Sequence, residues 1–231
     1  MKFLLFISRE AFFEPAVQYT GNLAKKTNAS VTVFCFTDDE TSLPEQDEFS
    51  AILDKFLPQG YEFLVGAGDK VDQVNAALAQ EGVDLMIVGA RTELSAFQKT
   101  LGSHAMEIVE GTSTNVVVVR EPHADFKKVL VCTGGKLIAD KVVKAGSKIA
   151  KAMDASVTLL HIENKIPRMY TGLVEMDETI DTMLEKDTPL ADHLRSAADH
   201  LAKEGVGANI KLRHGNVVDE ILEEIEDFSF D

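Results

Sequence analysis

Cysteine is scarce in this sequence: Cys35 and Cys132 are the only two. Each sits inside an apolar strand-like run, with no partner spacing for a disulfide framework or a metal site. Buried reduced thiols acting as small hydrophobes account for both, and a reducing cytoplasm is the expected compartment. Long apolar runs are missing too. No stretch approaches the roughly 18–20 apolar residues needed to cross a bilayer. The opening run Phe3–Ile7 is shorter than the roughly 7–15 residues of a secretory core and meets Arg9 and Glu10 at once, so a buried first strand is the better reading. Positive charge is short as well. Lys and Arg number 23 against 38 Asp and Glu, a net charge of -15. Such a surface repels phosphate backbones, so neither nucleic acid nor an anionic membrane is an expected partner. The end of the chain, Asp219 to Asp231, holds seven acids and no base and reads as a solvated helix face.

Catalytic patterns are equally thin. There is no nucleophile elbow and no Ser/His/Asp order. "CTGGK" (Cys132–Lys136) lacks the spacing and the terminal Ser/Thr of a phosphate-binding P-loop, so a strand-to-helix turn suffices. Of the six histidines, His193 and His200 share a helix face but stand seven apart, where a metal pair prefers four. They read as solvated, and His161, inside a strand, reads as a core residue.

What the sequence does contain is alternation. Apolar runs at Lys2–Ile7, Ser30–Phe36, Tyr61–Gly66, Asp84–Gly89 and Asn115–Arg120 read as strands. Between them, Phe12–Lys26, Phe49–Leu57, Asp69–Gly82 and Ser103–Glu110 read as helices. Short apolar strands alternating with helices imply βαβ units and a parallel sheet covered on both faces.

The pattern then restarts. Strands are expected at Lys127–Cys132, Ser156–Ile162 and Ala208–Gly215, with helices over Ile138–Met153 and from Asn216 to the end. "SVTVFCF" answers "SVTLLHI", and Gly68-Asp69 answers Gly215-Asn216 at an offset of 147, which also carries Asp84 onto Asp231. Internal repetition is the strongest organisational signal. It divides the chain into domains 1–121 and 126–231. A longer connection, Glu163 to Asp187, with Pro167, Met169, Tyr170, Gly172 and Met176, reads as a surface loop or lid. The second copy has no counterpart of the fourth and fifth strands. Either the chain is truncated, which is the favoured expectation, or other polypeptide completes the half-domain. An uncovered first strand would be an aggregation-prone edge.

The stretch "VGARTELSAFQKTLGSHAMEIVEG" (Val88–Gly111) shows a strand ending in glycine, a loop, and a Gly-Ser pair opening a helix. Together with "GDKVDQVNAALAQEGVDLMIVGAR" and "HGNVVDEILEEI", it resembles the universal stress protein family. That family's loop runs Gly, two residues, Gly, nine residues, Gly, then Ser or Thr. Gly89, Gly102 and Ser103 fit in register, and Thr92 replaces the second glycine. The resemblance implies an α/β fold, a doubly wound parallel five-stranded sheet of order 3-2-1-4-5, repeated, with the second copy lacking strands 4 and 5. The carboxyl ends of the first and fourth strands would then form the ligand crevice. Candidate phosphate residues are Gly89, Arg91, Thr92, Gly102 and Ser103, since a helix N-terminus attracts anions. Thr92 carries a Cβ where the family uses glycine. Ser8 stands where the family usually has the aspartate that contacts ribose or base, and Gly134 stands there in the second copy. Phe6 and Phe36 align with residues flanking the base, either stacking on it or filling its pocket.

The resemblance implies a non-enzymatic stress-response protein acting through dimerisation and partner binding, and Thr92, Ser8 and Phe6 favour weak or no nucleotide binding. No cofactor is expected to reside in it. An ATP-binding switch or a slow ATPase is the alternative. The four valines Val116, Val117, Val118 and Val119 form an apolar strand at the sheet's edge, and a homodimer through them is expected. Partner proteins are expected too.

Overall fold

Six consecutive residues of the first strand, Phe3 to Ser8, are buried, which requires a sheet covered on both faces. The structure, a computed structural model, describes residues 1–8, 14–38, 41–90, 103–120, 126–134, 136–163 and 183–231, without the side chains of 103–105 and 136–139. The chain divides into two compact units, Met1–Asp125 and Phe126–Asp231.

The first unit runs β1 (Lys2–Ser8), α1 (Glu14–Thr27), β2 (Ser30–Thr37), α2 (Ser50–Phe56), β3 (Glu62–Ala67), α3 (Lys70–Glu81), β4 (Leu85–Gly89), α4 (Ser103–Gly111) and β5 (Val116–Val119). Its sheet has the order β3-β2-β1-β4-β5 with every ladder parallel. The second unit runs β6 (Lys128–Thr133), α5 (Lys136–Met153), β7 (Ser156–Glu163), α6 (Pro189–Lys203), β8 (Ala208–His214) and α7 (Val217–Phe228). Its described sheet has three strands, β6-β7-β8, again parallel. The order that the resemblance implied is the order found, and the second sheet carries no fourth or fifth strand among the described residues.

The repeat is visible in single contacts. Lys2 lies opposite Ser30 in the first sheet, and Lys128 lies opposite Ser156 in the second. Asp69 caps α3 by accepting the Asp72 N–H at 2.9 Å, and Asn216 caps α7 by accepting from Val218 and Asp219. The Asp84 N–H donates to the Lys2 carbonyl at 2.9 Å, and its carboxylate accepts the Lys2 N–H at 2.9 Å. Asp231 does the same at Lys128, at 3.2 and 3.0 Å.

Three expectations change. The acidic end of the chain is not uniformly solvated: Glu224 is completely buried, held by Lys211 Nζ at 2.7 Å and Arg213 Nε at 2.8 Å. A carboxylate with two cations can leave water; one without them cannot. His193 is buried rather than solvated, because it lies on the inward stripe of α6 with Ala191, Leu194, Ala197 and Leu201. Its Nε2 has no hydrogen-bond partner among the described residues, and Asp140 Oδ1 lies 4.0 Å from its Nδ1. His200 is half-buried and hydrogen-bonds Ser147 at 3.2 Å. His161, expected in the core, is half-buried. Its Nδ1 lies 3.1 Å from the Thr133 carbonyl, and desolvation outweighs that contact to hold its pKa below the ordinary value. Most of the expected lid, 164–182, lies outside the described residues.

Candidate functional site

In the first unit β1 and β4 are neighbours, yet their chain connections lead to opposite sides, β1 toward β2 and β4 toward β5. A crevice opens at the carboxyl ends of such a pair. Ser8 ends one strand, buried, and Gly89 ends the other, half-buried. Four of the sequence candidates, Phe6, Ser8, Phe36 and Gly89, are thus gathered at one end of one sheet. Ser103 opens α4. Arg91, Thr92 and Gly102 lie outside the described residues.

The crevice rests on aromatic rings. Side chains alternate along a strand, so Phe34 and Phe36 point to the same face of β2, the face to which Phe6 points from β1. The ring of Phe6 lies 6.2 Å from that of Phe34 and 6.3 Å from that of Phe36. All three are 3% exposed or less. They belong to one apolar cluster with Val74, Ala77 and Leu78 of α3, Ile108 of α4, and Val88. Gly66 of β3 makes the arrangement possible, because a Cβ there would overlap the Phe34 ring. Phe34 was not among the sequence candidates, although its spacing from Phe36 marks it.

Lys70 was missed as well. It starts α3, its Nζ lies 5.2 Å from the Phe36 ring centre, and it pairs with Glu107 of α4 at 3.3 Å. Its side chain is only 10% exposed. A cation held over a ring and against a carboxylate ties α3 to α4 beside the crevice. No sequence signal announces it, since the contact depends on which strands are neighbours.

The second unit places different chemistry on the matching face. Where Phe6, Phe34 and Phe36 stand in the first unit, the registers put Cys132, Leu160 and Ile162. Opposite them, Lys211 and Arg213 of β8 replace Leu64 and Gly66. Glu224 of α7 joins both cations, and Arg213 also reaches Glu220, Glu223 and Asp227. Burial pulls the Arg213 pKa down, but its carboxylate hydrogen bonds prevail and hold it above the ordinary value. The Cys132 thiol is pushed up by burial first and by Glu224 second, which makes it a poor nucleophile at neutral pH. Gly134, the counterpart of Ser8, is exposed. A groove of about 420 Å³ does lie in this unit, but at the amino-terminal ends of its strands, between Lys128, Thr158, Asn209, Lys211, Phe228 and Phe230. Among the described residues no three His, Cys, Asp or Glu side chains form a metal-binding group, and no helix is long and apolar enough to cross a membrane.

Compared with known families, the chain matches the model of the Universal stress protein family twice, over residues 8–120 and 125–231. The chain belongs to the universal stress protein family. No curated protein sequence matches it. Among solved structures, a protein from Pseudomonas aeruginosa UCBPP-PA14 assigned to this family is 11% identical. That alignment covers 99% of this chain and 79% of the other with a TM-score of 0.70. A universal stress protein from Archaeoglobus fulgidus DSM 4304 is 18% identical over 98% of this chain and 84% of its own, with a TM-score of 0.65. Another from Archaeoglobus fulgidus, solved in complex with dAMP, aligns with 52% of this chain and 98% of its own at 12% identity and a TM-score of 0.38. At these identities the likeness is one of fold.

Proposed function

We propose that this member of the universal stress protein family is a non-enzymatic stress-response protein of the cytoplasm. It acts through dimerisation and partner binding, with weak or no affinity for nucleotides. The observation that carries the reading is the aromatic floor of the crevice. Phe6, Phe34 and Phe36 pack on one another and on α3 and α4, so a purine entering there must displace core. Two features of the sequence agree: Thr92 brings side-chain bulk into the phosphate loop, and Ser8 is uncharged where the family carries aspartate. Calorimetric titration with ATP is expected to show no saturable heat for the wild type, and a measurable gain for Thr92→Gly. Tight binding by the wild type would overturn the reading.

A second reading, an ATP-binding switch or a slow ATPase, is favoured by one observation. The helix α4 begins at Ser103 after the crevice strand β4, and its first N–H groups and dipole suit an anion.

Dimerisation is assigned to β5. Among the described residues it pairs with β4 alone and stands at the edge of the first sheet, where Val116, Val117 and Val118 are half-buried. Apolar edges recruit a second strand. Light scattering at micromolar concentration is expected to give a dimer, and Val117→Lys a monomer. A monomeric wild type would sink this assignment.

A further inference from the structure

Three histidines of the second unit meet on one face of its sheet. Side chains alternate along a strand, and residues paired in a parallel ladder share a face. Thr133 and His161 are such a pair, and Glu163 and His214, 3.4 Å apart, stand one step further along the same face. Lys211 and Arg213 take the other face, where Glu224 holds α7. His193 comes down on the first face from α6, near enough to His161 for a charge on one to oppose a charge on the other. At the registers of Thr133 and His161 the first unit has Ile7 and Cys35, so it is apolar at both positions.

Neither ring is set up to take a second proton. The Thr133 carbonyl, 3.1 Å from His161 Nδ1, can only accept, so Nδ1 carries hydrogen and any added proton goes to Nε2. Burial holds the His161 pKa below its ordinary value of 6.5, the Thr133 bond notwithstanding, and His193 and His214 lower it further. The His193 side chain is 6% exposed, and its Nε2 has no hydrogen-bond partner among the described residues. Its Nδ1 stands 4.0 Å from Asp140 Oδ1, beyond hydrogen-bond reach. In a charged ring both nitrogens donate, so at least one N–H would be buried without an acceptor. The surrounding groups do not supply one. Asp140 is exposed, and Glu163, the carboxylate that favours a charge on His161, already faces His214. Lys144 and His200 line the groove between α5 and α6 beside Asp140, and both carry positive charge when protonated.

We propose that His161 and His193 form a proton-operated latch on α6. Neutral, the two rings let the first half of the helix, Pro189 to Ser196, lie on the sheet; charged, they push it off the carboxyl ends of β6 and β7. The second half stays, because Ala197 and Leu201 are buried on the inward stripe. A histidine with a lowered folded pKa binds more protons unfolded than folded. Stability is therefore present above pH 6.5 and lost as pH falls from there toward the lowered value. Carboxylates contribute little in this window, since they ordinarily titrate at about pH 4. The latch is independent of the nucleotide and dimer readings above.

Hydrogen exchange of the full chain tests the latch, read as protection factors so that the pH dependence of free amides drops out. Between about pH 7.5 and about pH 5.5, protection of the Leu194 and Arg195 amides of α6 is expected to fall by about tenfold, while Leu4 to Phe6 of β1 stays unchanged. His161→Cys, which installs the residue of the first unit, and His193→Leu, which extends the apolar stripe, are each expected to cut the fall to about threefold. The two together are expected to abolish it. In the wild type the His161 ring, followed by NMR, is expected to titrate below 6.5. Titration of that ring above 6.5 would overturn the proposal whether or not the variants fold. Unchanged protection in α6, an equal fall in β1, or a full fall in the double variant would each overturn it as well.

Discussion

Replacing Glu224 by alanine is expected to destabilise the second unit by about 3–5 kcal/mol, the range for removing one partner of a buried ion pair. The carboxylate is wholly buried, and its two oxygens take Lys211 at 2.7 Å and Arg213 at 2.8 Å. Arg213 keeps Glu220, Glu223 and Asp227 after the change, so it remains neutralised. Lys211 does not. Its side chain is 26% exposed, and its ammonium is left with the Phe228 ring, whose centre lies 3.0 Å away. Most of the loss therefore falls on Lys211. Adding Lys211→Met to Glu224→Ala is expected to return more than half of the stability, because the orphaned charge goes with it. Hydrogen exchange in β7 and β8 reads the second unit separately from the first. A loss below about 1 kcal/mol for Glu224→Ala would show that the network is solvated and adds little.

That network explains why one repeat yields two chemistries. Both units use a parallel β1-β2-β3 type arrangement followed by a capped helix, with the cap at Asp69 or Asn216. The face under that helix is aromatic in the first unit and ionic in the second. Aromatic rings need a bare strand beside them, which Gly66 supplies. At the same register stands Arg213, whose long side chain fills the space and reaches four carboxylates.

The scaffold was legible in the sequence because its signals are local. Apolar runs of strand length, alternating helices and the 147-residue offset each survive without knowledge of the neighbours. The site was legible in part for the same reason. Phe6, Ser8 and Gly89 sit at strand ends that the pattern locates, and Phe36 sits inside the apolar run of its strand. Lys70, Phe34 and Glu224 were not read, since their roles depend on elements brought together across the sheet. The alternation of Lys211 and Arg213 along β8, placed directly before an acidic helix, is the signal that would have exposed the buried Glu224. His193 shows the converse error. Its helix carries charge on most turns, and only the inward stripe of alanines and leucines reveals which way the ring points.

Phe36→Ala is expected to cost the first unit about 3–5 kcal/mol, the range for emptying an aromatic position in a packed core. Two roles for this ring make opposite forecasts. A platform waiting for a base would show one face to the crevice, and trimming it would cost little stability while weakening nucleotide binding by about 1–3 kcal/mol, the range for a lost stacking contact. The ring is instead 1% exposed, stacked on Phe6 and lying under the Lys70 ammonium. Truncation removes packing on every side and also the cation–ring contact, which adds about 0.5–1 kcal/mol. Phe36→Leu keeps most of the volume and is expected to lose less than about 1.5 kcal/mol. Urea unfolding followed by exchange in β1 and β2 measures both variants. A small loss for Phe36→Ala would mean that the ring is not structural, and the reading of a filled crevice would go with it.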